Sequence, residues 1–173
     1  MKNHHPNLGQ CIAAVLFALS AAASGHASAK DVDATFDVGA AIKSTARVSI
    51  PGGKARMTFN TEGAGKLIVD GREEPVFVAC DGTDVLLGAA KVVDGFAECE
   101  IRTLKSGDLY IRFQKIFEAD GTWNQLATFT ITGGTGEMAK LSGTLAAKVE
   151  MSPPLSGGKL VFGVSSKGRL TQK

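Results

Sequence analysis

The residues best suited to acid–base or metal chemistry are unevenly distributed along the chain. The three histidines, His4, His5 and His26, all lie within the first 29 residues. If that segment is removed from the mature protein, no histidine remains. Ser-His-Asp triads, Cys-His dyads and histidine-ligated metal sites are then excluded within one chain. Proton transfer would depend on carboxylates, lysines, arginines and Tyr110.

The segment that carries the histidines has the three-part pattern of a secretory signal peptide. Lys2 lies in a polar start, an apolar run follows over 11–23, and Ala27-Ser28-Ala29 forms a small-x-small cleavage site. The run is shorter than the roughly 20 residues that cross a bilayer, which disfavours a retained anchor. Cys11 opens the run instead of following the cleavage site, which disfavours a lipoprotein. We predict a signal peptide over 1–29 and one exported domain over 30–173, periplasmic or secreted.

Cys80 and Cys99 are the cysteines that remain after cleavage. An even pair in an oxidising compartment predicts a disulfide, which stabilises a fold by about 3 kcal/mol through loop-closure entropy. The alternative is a free nucleophilic thiol, which would have neither a histidine partner nor a reducing environment.

Polar side chains on neighbouring predicted strands could bind a substrate. One interpretation places Tyr110, Arg112 and Asn124 in the interior, where they would bind a carboxylate or an oxyanion. The other places the polar face outside, where cross-strand ion pairs each contribute a few tenths of a kcal/mol. The charged residues of that face are Glu100, Arg102, Arg112 and Glu118. Alternation shows which residues share a face but leaves the inward face undetermined.

Short alternating stretches must position these residues. Glycine-bearing and Asp-Gly turns interrupt them at intervals of about ten residues, which indicates an all-β protein and disfavours long helices. The clearest stretches, 96–104, 109–118 and 122–132, predict an antiparallel meander. Four aromatic side chains of this meander are expected in the core: Phe113, Phe117, Trp123 and Phe129. The other predicted strands lie at 31–38, 47–50, 54–60, 67–69, 75–80, 143–151 and 159–171, with 85–93 as a strand or a helical turn. Turns are predicted at 61–65, Asp70-Gly71, Asp81-Gly82 and Asp94-Gly95.

Composition and charge limit the partners. The 19 basic and 17 acidic residues leave a formal net charge of +2, which provides no global attraction for nucleic acid. Asp31, Asp33 and Asp37 alternate along the first predicted strand, but they lack the glycine-centred loop and terminal glutamate of an EF-hand. We expect them on the surface, and we predict no metal and no cofactor.

A glycine-rich segment is the most distinctive motif. The chain reads Thr132-Gly133-Gly134-Thr135-Gly136 at the end of a predicted strand, with Met138, Leu141 and Gly143 behind it. A phosphate-binding loop would need a further spaced glycine, a lysine and a following helix, which this segment lacks. We expect the glycines to act structurally, through positive backbone angles and close approach at a barrel corner.

The same segment resembles the signature of the allene oxide cyclase and dirigent barrel superfamily. There the Thr-Gly-Gly-Thr-Gly pattern is followed by an aromatic residue, whose place Met138 takes here, and by a later glycine that Gly143 matches. The resemblance implies an antiparallel up-and-down barrel of about eight strands whose lumen holds a small apolar molecule. It also implies an isomerase or cyclase that controls substrate conformation without metal or cofactor.

The alternative function is a non-enzymatic envelope or secreted protein whose sheet faces bind a protein partner. A lumen of at least about 300 Å³ with convergent polar groups would favour ligand binding. A lumen filled by Phe and Leu side chains would exclude it. Assembly into a homo-oligomer is compatible with either function.

Overall fold

The protein is almost entirely β-structure. The computed structural model describes residues 28–88, 91–116, 125–151 and 160–173. Nine strands and one short 3-10 helix, Gly136–Lys140, lie within these ranges. The strands are β1 Lys30–Ile50, β2 Lys54–Val69, β3 Arg72–Leu87, β4 Lys91–Thr103, β5 Asp108–Ile116, β6 Gln125–Gly134, β7 Leu141–Ser142, β8 Thr144–Met151 and β9 Val161–Gln172.

The strands close into a barrel. Strands β1 to β6 pair antiparallel in chain order, β6 pairs with β8, and β8 pairs with β9. Strand β9 then pairs with β1, from Lys30 opposite Gln172 to Ala41 opposite Val161, so that eight long strands form a closed wall. The two-residue β7 pairs with the end of β9. The predicted up-and-down barrel of about eight strands is confirmed, including the order of β4, β5 and β6.

Alternation along each strand buries one face in the lumen. Leu109, Ile111 and Phe113 are buried on β5 while Tyr110 and Arg112 are exposed, as the pleat of a strand requires. In the core, the ring centroids of Phe36 and Phe129 lie 4.9 Å apart. The predicted core positions of Phe113 and Phe129 are thus confirmed. Phe117 and Trp123 lie outside the described residues.

Several predicted turns are strand interior. Asp70-Gly71 forms the expected hairpin turn between β2 and β3. In contrast, the interval 39–46, which separates two predicted strands, is part of β1. The predicted turn at 61–65 is likewise part of β2. Gly63 and Gly65 allow this continuation because a Cβ atom on either would overlap the backbone of β1. Their role is therefore close approach between β1 and β2.

Asp81-Gly82 and Asp94-Gly95 are also strand residues. Strand β3 runs through the first pair to Leu87, and β4 contains the second. Their backbones pair with a neighbouring strand on at least one side, and Gly82 has partners on both β2 and β4. Backbone pairing in a closed wall thus outweighs the local turn preference of Asp-Gly. Because β3 continues past Asp81-Gly82, Asp84 is a strand residue.

The glycine-rich segment closes one end of the barrel. The 3-10 helix directs Met138 into the core, where it is buried beside Leu141. Gly136 and Gly143 have φ angles of 55° and 130°, values that favour glycine. Gly134 has no positive φ angle but is required for close approach, because a Cβ atom there would lie 2.8 Å from the carbonyl oxygen of Asp108. At Gly133 the structure requires neither a positive φ angle nor close approach, since a Cβ atom would meet only the Tyr110 ring at 3.7 Å.

The predicted signal peptide falls almost wholly outside the described residues, which begin at Ser28. Asp31, Asp33 and Asp37 are exposed on β1, as expected. In the part of the chain that the structure describes, no helix is long and apolar enough to span a membrane.

Candidate functional site

The lumen is filled at one end and hollow at the other. The end closed by the 3-10 helix is filled by buried apolar side chains, namely Ile101, Leu109, Met138, Leu141 and Leu170. The other half encloses a cavity of about 150 Å³, lined mainly by aliphatic and aromatic side chains. It is smaller than the 300 Å³ expected of a ligand pocket, but comparable to an engineered core cavity of about 150 Å³ that binds benzene. The lumen is therefore neither plugged throughout nor wide.

The charged part of the cavity wall is a buried ion pair between Lys115 and Asp84. Nζ of Lys115 lies 2.6 Å from Oδ1 and 2.6 Å from Oδ2 of Asp84. The two side chains are only 14% and 5% exposed. The other ion pairs among the described residues are much more exposed. This pair has therefore lost most of its hydration and is held by mutual attraction.

A glycine in β4 makes room for the pair. Asp84 on β3 lies directly opposite Gly95 on β4. Gln114 of β5 lies opposite Phe96, so Lys115 comes beside Gly95 at the next position. A Cβ atom on Gly95 would overlap Oδ1 of Asp84. The missing side chain thus lets Lys115 reach across β4 to Asp84. A register shift between Val85 and Leu86 lies next to this point, and bulges often occur beside functional sites.

An aromatic ring covers the ammonium group. The centroid of the Phe59 ring lies 4.8 Å from Nζ of Lys115, a cation–π contact. Phe59 itself lies over Gly82, where a Cβ atom would overlap the ring. The site therefore depends on two glycines. Gly95 leaves space for the Asp84 carboxylate, and Gly82 leaves space for the Phe59 ring.

Burial shifts both members of the pair toward neutrality. Desolvation is the main cause that lowers the pKa of the Lys115 amine, and the charge and hydrogen bond of Asp84 oppose it. Desolvation likewise raises the pKa of the Asp84 carboxyl against the attraction of Lys115, and the nearby Asp94 carboxylate adds to the rise. Transfer of a proton from the Lys115 ammonium to the Asp84 carboxylate therefore costs less free energy here than it would in water.

The predicted disulfide also borders the cavity. Cys80 and Cys99 are directly opposite each other on β3 and β4, with Cα atoms 4.1 Å apart, and they are bonded. Both residues line the hollow half of the lumen. The bond therefore joins two wall strands close to the ion pair.

The predicted substrate-binding residues do not lie at the cavity. Tyr110 is 39% exposed on the outer face of β5. Arg112 is on the same face, 3.7 Å from Glu98 and with its guanidinium carbon 4.7 Å from the Phe96 ring centroid. The interior interpretation is therefore wrong for Tyr110 and Arg112, because the odd-numbered residues of β5 are the inward ones. Asn124 lies outside the described residues.

The outer-face interpretation holds for the described charged residues. Arg112 of β5 forms the expected cross-strand pair with Glu98 of β4, whereas Arg102 pairs with Glu100 at 2.6 Å within β4 itself. Glu118 lies outside the described residues.

The residues of the ion pair were missed by sequence reasoning. Lys115 has the parity of Leu109, Ile111 and Phe113, so alternation already indicated an inward lysine. Asp84 shares the parity of Val76 and Val78, but the turn that Asp81-Gly82 predicts would end the strand before Asp84. Their proximity depends on the register of three strands.

A second acidic group lies near the filled end. The Glu74 carboxylate accepts a hydrogen bond from the Ser106 hydroxyl, and its Oε2 atom has no partner among the described residues. The Ser106 hydrogen bond is the main cause that holds the pKa of Glu74 below its ordinary value. The space beside it is only about 10 Å³, so this group supports the fold and binds no sizeable ligand.

Comparisons of the chain with protein-family models, with curated proteins and with solved structures found no match. No group of three or more potential metal ligands occurs among the described residues.

Proposed function

We propose that the protein binds a small, largely apolar and uncharged molecule in the hollow half of its barrel. The observation that carries the proposal is an apolar cavity with one buried ion pair in its wall. Ligand sites combine such apolar walls with a few placed polar groups that orient the ligand. A volume of about 150 Å³ suits a molecule with one aromatic ring or a short aliphatic chain.

The charges of the site favour an uncharged ligand. Lys115 and Asp84 cancel each other, and they are the charged side chains among the described residues that line the cavity. A charged ligand would therefore enter an apolar space without a counterion, at a large desolvation cost. A hydroxyl or carbonyl oxygen on the ligand can instead exchange a hydrogen bond with one member of the pair.

Titration calorimetry with benzyl alcohol tests the proposal, with benzoate as the charged counterpart. We expect saturable binding of the alcohol and at least tenfold weaker binding of benzoate. Ala97→Leu extends a side chain into the cavity from β4 and should abolish binding. The control is Ala146→Leu on the exposed face of β8, which should bind as the wild type does. Equal binding by both variants, or tighter binding of benzoate, would overturn the proposal.

An isomerase or cyclase activity belongs to the same proposal. Its support is the resemblance of the glycine-rich segment to the allene oxide cyclase and dirigent superfamily, in which the barrel shapes the substrate. The cavity supports a substrate that is folded into a compact conformation. Incubation of the protein with a short unsaturated epoxide, followed by chiral analysis of the product, tests it. A racemic product formed at the uncatalysed rate would contradict it.

Export is a further part of the proposal. The signal-like pattern over 1–29 supports it, and so does the disulfide, since such bonds persist in oxidising compartments. N-terminal sequencing of protein recovered from outside the cytoplasm should begin at Lys30. Recovery of the intact N-terminus would contradict cleavage after Ala29.

A further inference from the structure

An amine lies at the wall of the proposed ligand cavity. Lys115 lines the cavity, and its side chain is 14% exposed. The other lysines that form ion pairs in the described residues have side chains that are 47% to 59% exposed. Lys115 is therefore the amine that a molecule in the cavity would meet, whereas the others face the solvent.

We propose that Lys115 is a covalent attachment site for a small aldehyde, which it holds as a protonated imine with Asp84 as counterion. The inference rests on the proposed binding of an apolar molecule in the cavity. It adds the chemical class of that molecule, a carbonyl compound, and a reversible bond to the protein. Three features carry it: the cavity, the position of the amine in its wall, and a carboxylate that contacts the amine through both oxygens.

The reaction balances within the ion pair. The Lys115 ammonium transfers a proton to the Asp84 carboxylate, and the neutral amine attacks the carbonyl carbon of the aldehyde. The C–N bond forms, Asp84 gives its proton to the former carbonyl oxygen, and the nitrogen then transfers one of its two protons to the Asp84 carboxylate, which leaves a neutral carbinolamine beside a neutral Asp84. Asp84 then protonates the hydroxyl group, water leaves, and the C=N bond forms. One aldehyde and one ammonium group become one protonated imine and one water, and Asp84 ends as a carboxylate.

The surroundings of Lys115 suit each stage. Burial lowers the pKa of the amine and raises that of the carboxyl, so the first proton transfer costs less than it would in water. The product keeps the positive charge, so the attraction to Asp84 and the contact with the Phe59 ring at 4.8 Å are both retained. The apolar walls limit the access of water, which slows hydrolysis of the imine.

Trapping the imine with cyanoborohydride tests the proposal. The full-length protein is incubated with dilute benzaldehyde, reduced with cyanoborohydride, and analysed by intact mass and peptide mapping. We expect one benzyl group per chain on Lys115, and excess benzyl alcohol should protect that residue. Lys115→Met should lose the modification. The matched control is Lys140→Met, which removes an exposed lysine from an ion pair with Glu137 and should leave the modification unchanged.

Further arms separate the possible results. Asp84→Asn should lower the labelling rate at Lys115 by at least tenfold, while its folding is checked by circular dichroism. If Lys115→Met does not fold, protection by benzyl alcohol and peptide mapping of the wild type decide the question. Labelling spread over the exposed lysines, without preference for Lys115, overturns the inference. If benzyl alcohol binds but Lys115 is not labelled, the covalent inference fails and the proposed binding function stands. If benzyl alcohol does not bind, the binding function itself fails.

Discussion

Gly95 lies directly opposite Asp84 in the antiparallel register of β3 and β4, and a Cβ atom on Gly95 would overlap the Oδ1 atom of that carboxylate. The contact joins the backbone of one wall strand to the most buried carboxylate of the described lumen. An ion pair that spans three strands thus depends on a residue with no side chain.

Gly95→Ala should disturb the ion pair without unfolding the barrel. The Asp84 carboxylate must move because the new methyl group takes its place, and such overpacking costs about 1–3 kcal/mol. Urea denaturation measures this loss, and calorimetry should show weaker binding of benzyl alcohol. The control is Gly39→Ala on β1, where a Cβ atom would meet nothing within 4 Å. Equal effects of the two substitutions would show that Gly95 has no special role.

Lys115→Met should destabilise the fold strongly because it leaves the Asp84 carboxylate buried without a counterion. The expected loss is about 3–5 kcal/mol in the free energy of unfolding. Adding Asp84→Leu should recover most of it, since an apolar pair replaces the ionic one. A double-mutant cycle by urea denaturation gives the coupling energy. Additive losses would mean that the two side chains act independently.

Removal of the disulfide should destabilise the barrel by about 3 kcal/mol, from the entropy of a chain that is no longer cross-linked. The double variant Cys80→Ala, Cys99→Ala should have a urea midpoint similar to that of the wild type measured in reductant. The double variant should not respond to reductant. Alkylation of the unfolded wild type without reductant should label neither residue, and labelling of both would refute the bond in the purified protein.

Ser106→Ala should reduce stability in a pH-dependent way. The Ser106 hydroxyl lowers the pKa of Glu74 from its ordinary value of 4.5. A carboxyl whose pKa is lowered by folding stabilises the protein above its unfolded pKa, and this stabilisation disappears as the pH falls through the folded value. We expect a loss of about 1 kcal/mol at neutral pH that shrinks below about pH 4.

Urea denaturation between pH 3 and 7 measures the effect of Ser106→Ala. The control is Ser165→Ala on the exposed face of β9, which should show no such trend. If the difference in unfolding free energy between Ser106→Ala and the wild type does not change with pH, the stabilisation by Ser106 does not come from its hydrogen bond to ionised Glu74.

The sequence predicts those features that depend on local pattern. Alternation assigns Phe113 and Phe129 to the buried face, and an even cysteine pair predicts the Cys80–Cys99 bond. Both are confirmed. Closure was also predictable, since many short strands need partners for their edges.

The features that the sequence could not predict depend on pairing between strands. A local motif cannot show that Asp81-Gly82 is held in a strand by partners on both sides. Alternation groups Tyr110 with Arg112, but only the closed barrel determines that this group faces outward. The approach of Lys115 to Asp84 requires the register of three strands and the empty position at Gly95.

The pairing of β1 with β9 has a consequence for how the chain folds. Lys30 and Gln172 are partners, so the seam of the barrel joins the first strand to the last. The hairpins from β1 to β6 need only neighbouring segments of the chain, but the seam cannot form until β9 is brought back to β1. Such non-local contacts give a high contact order and slow folding. Until the seam closes, β1 has an unpaired edge that β9 later covers, so a chain truncated before β9 should be prone to edge-to-edge aggregation.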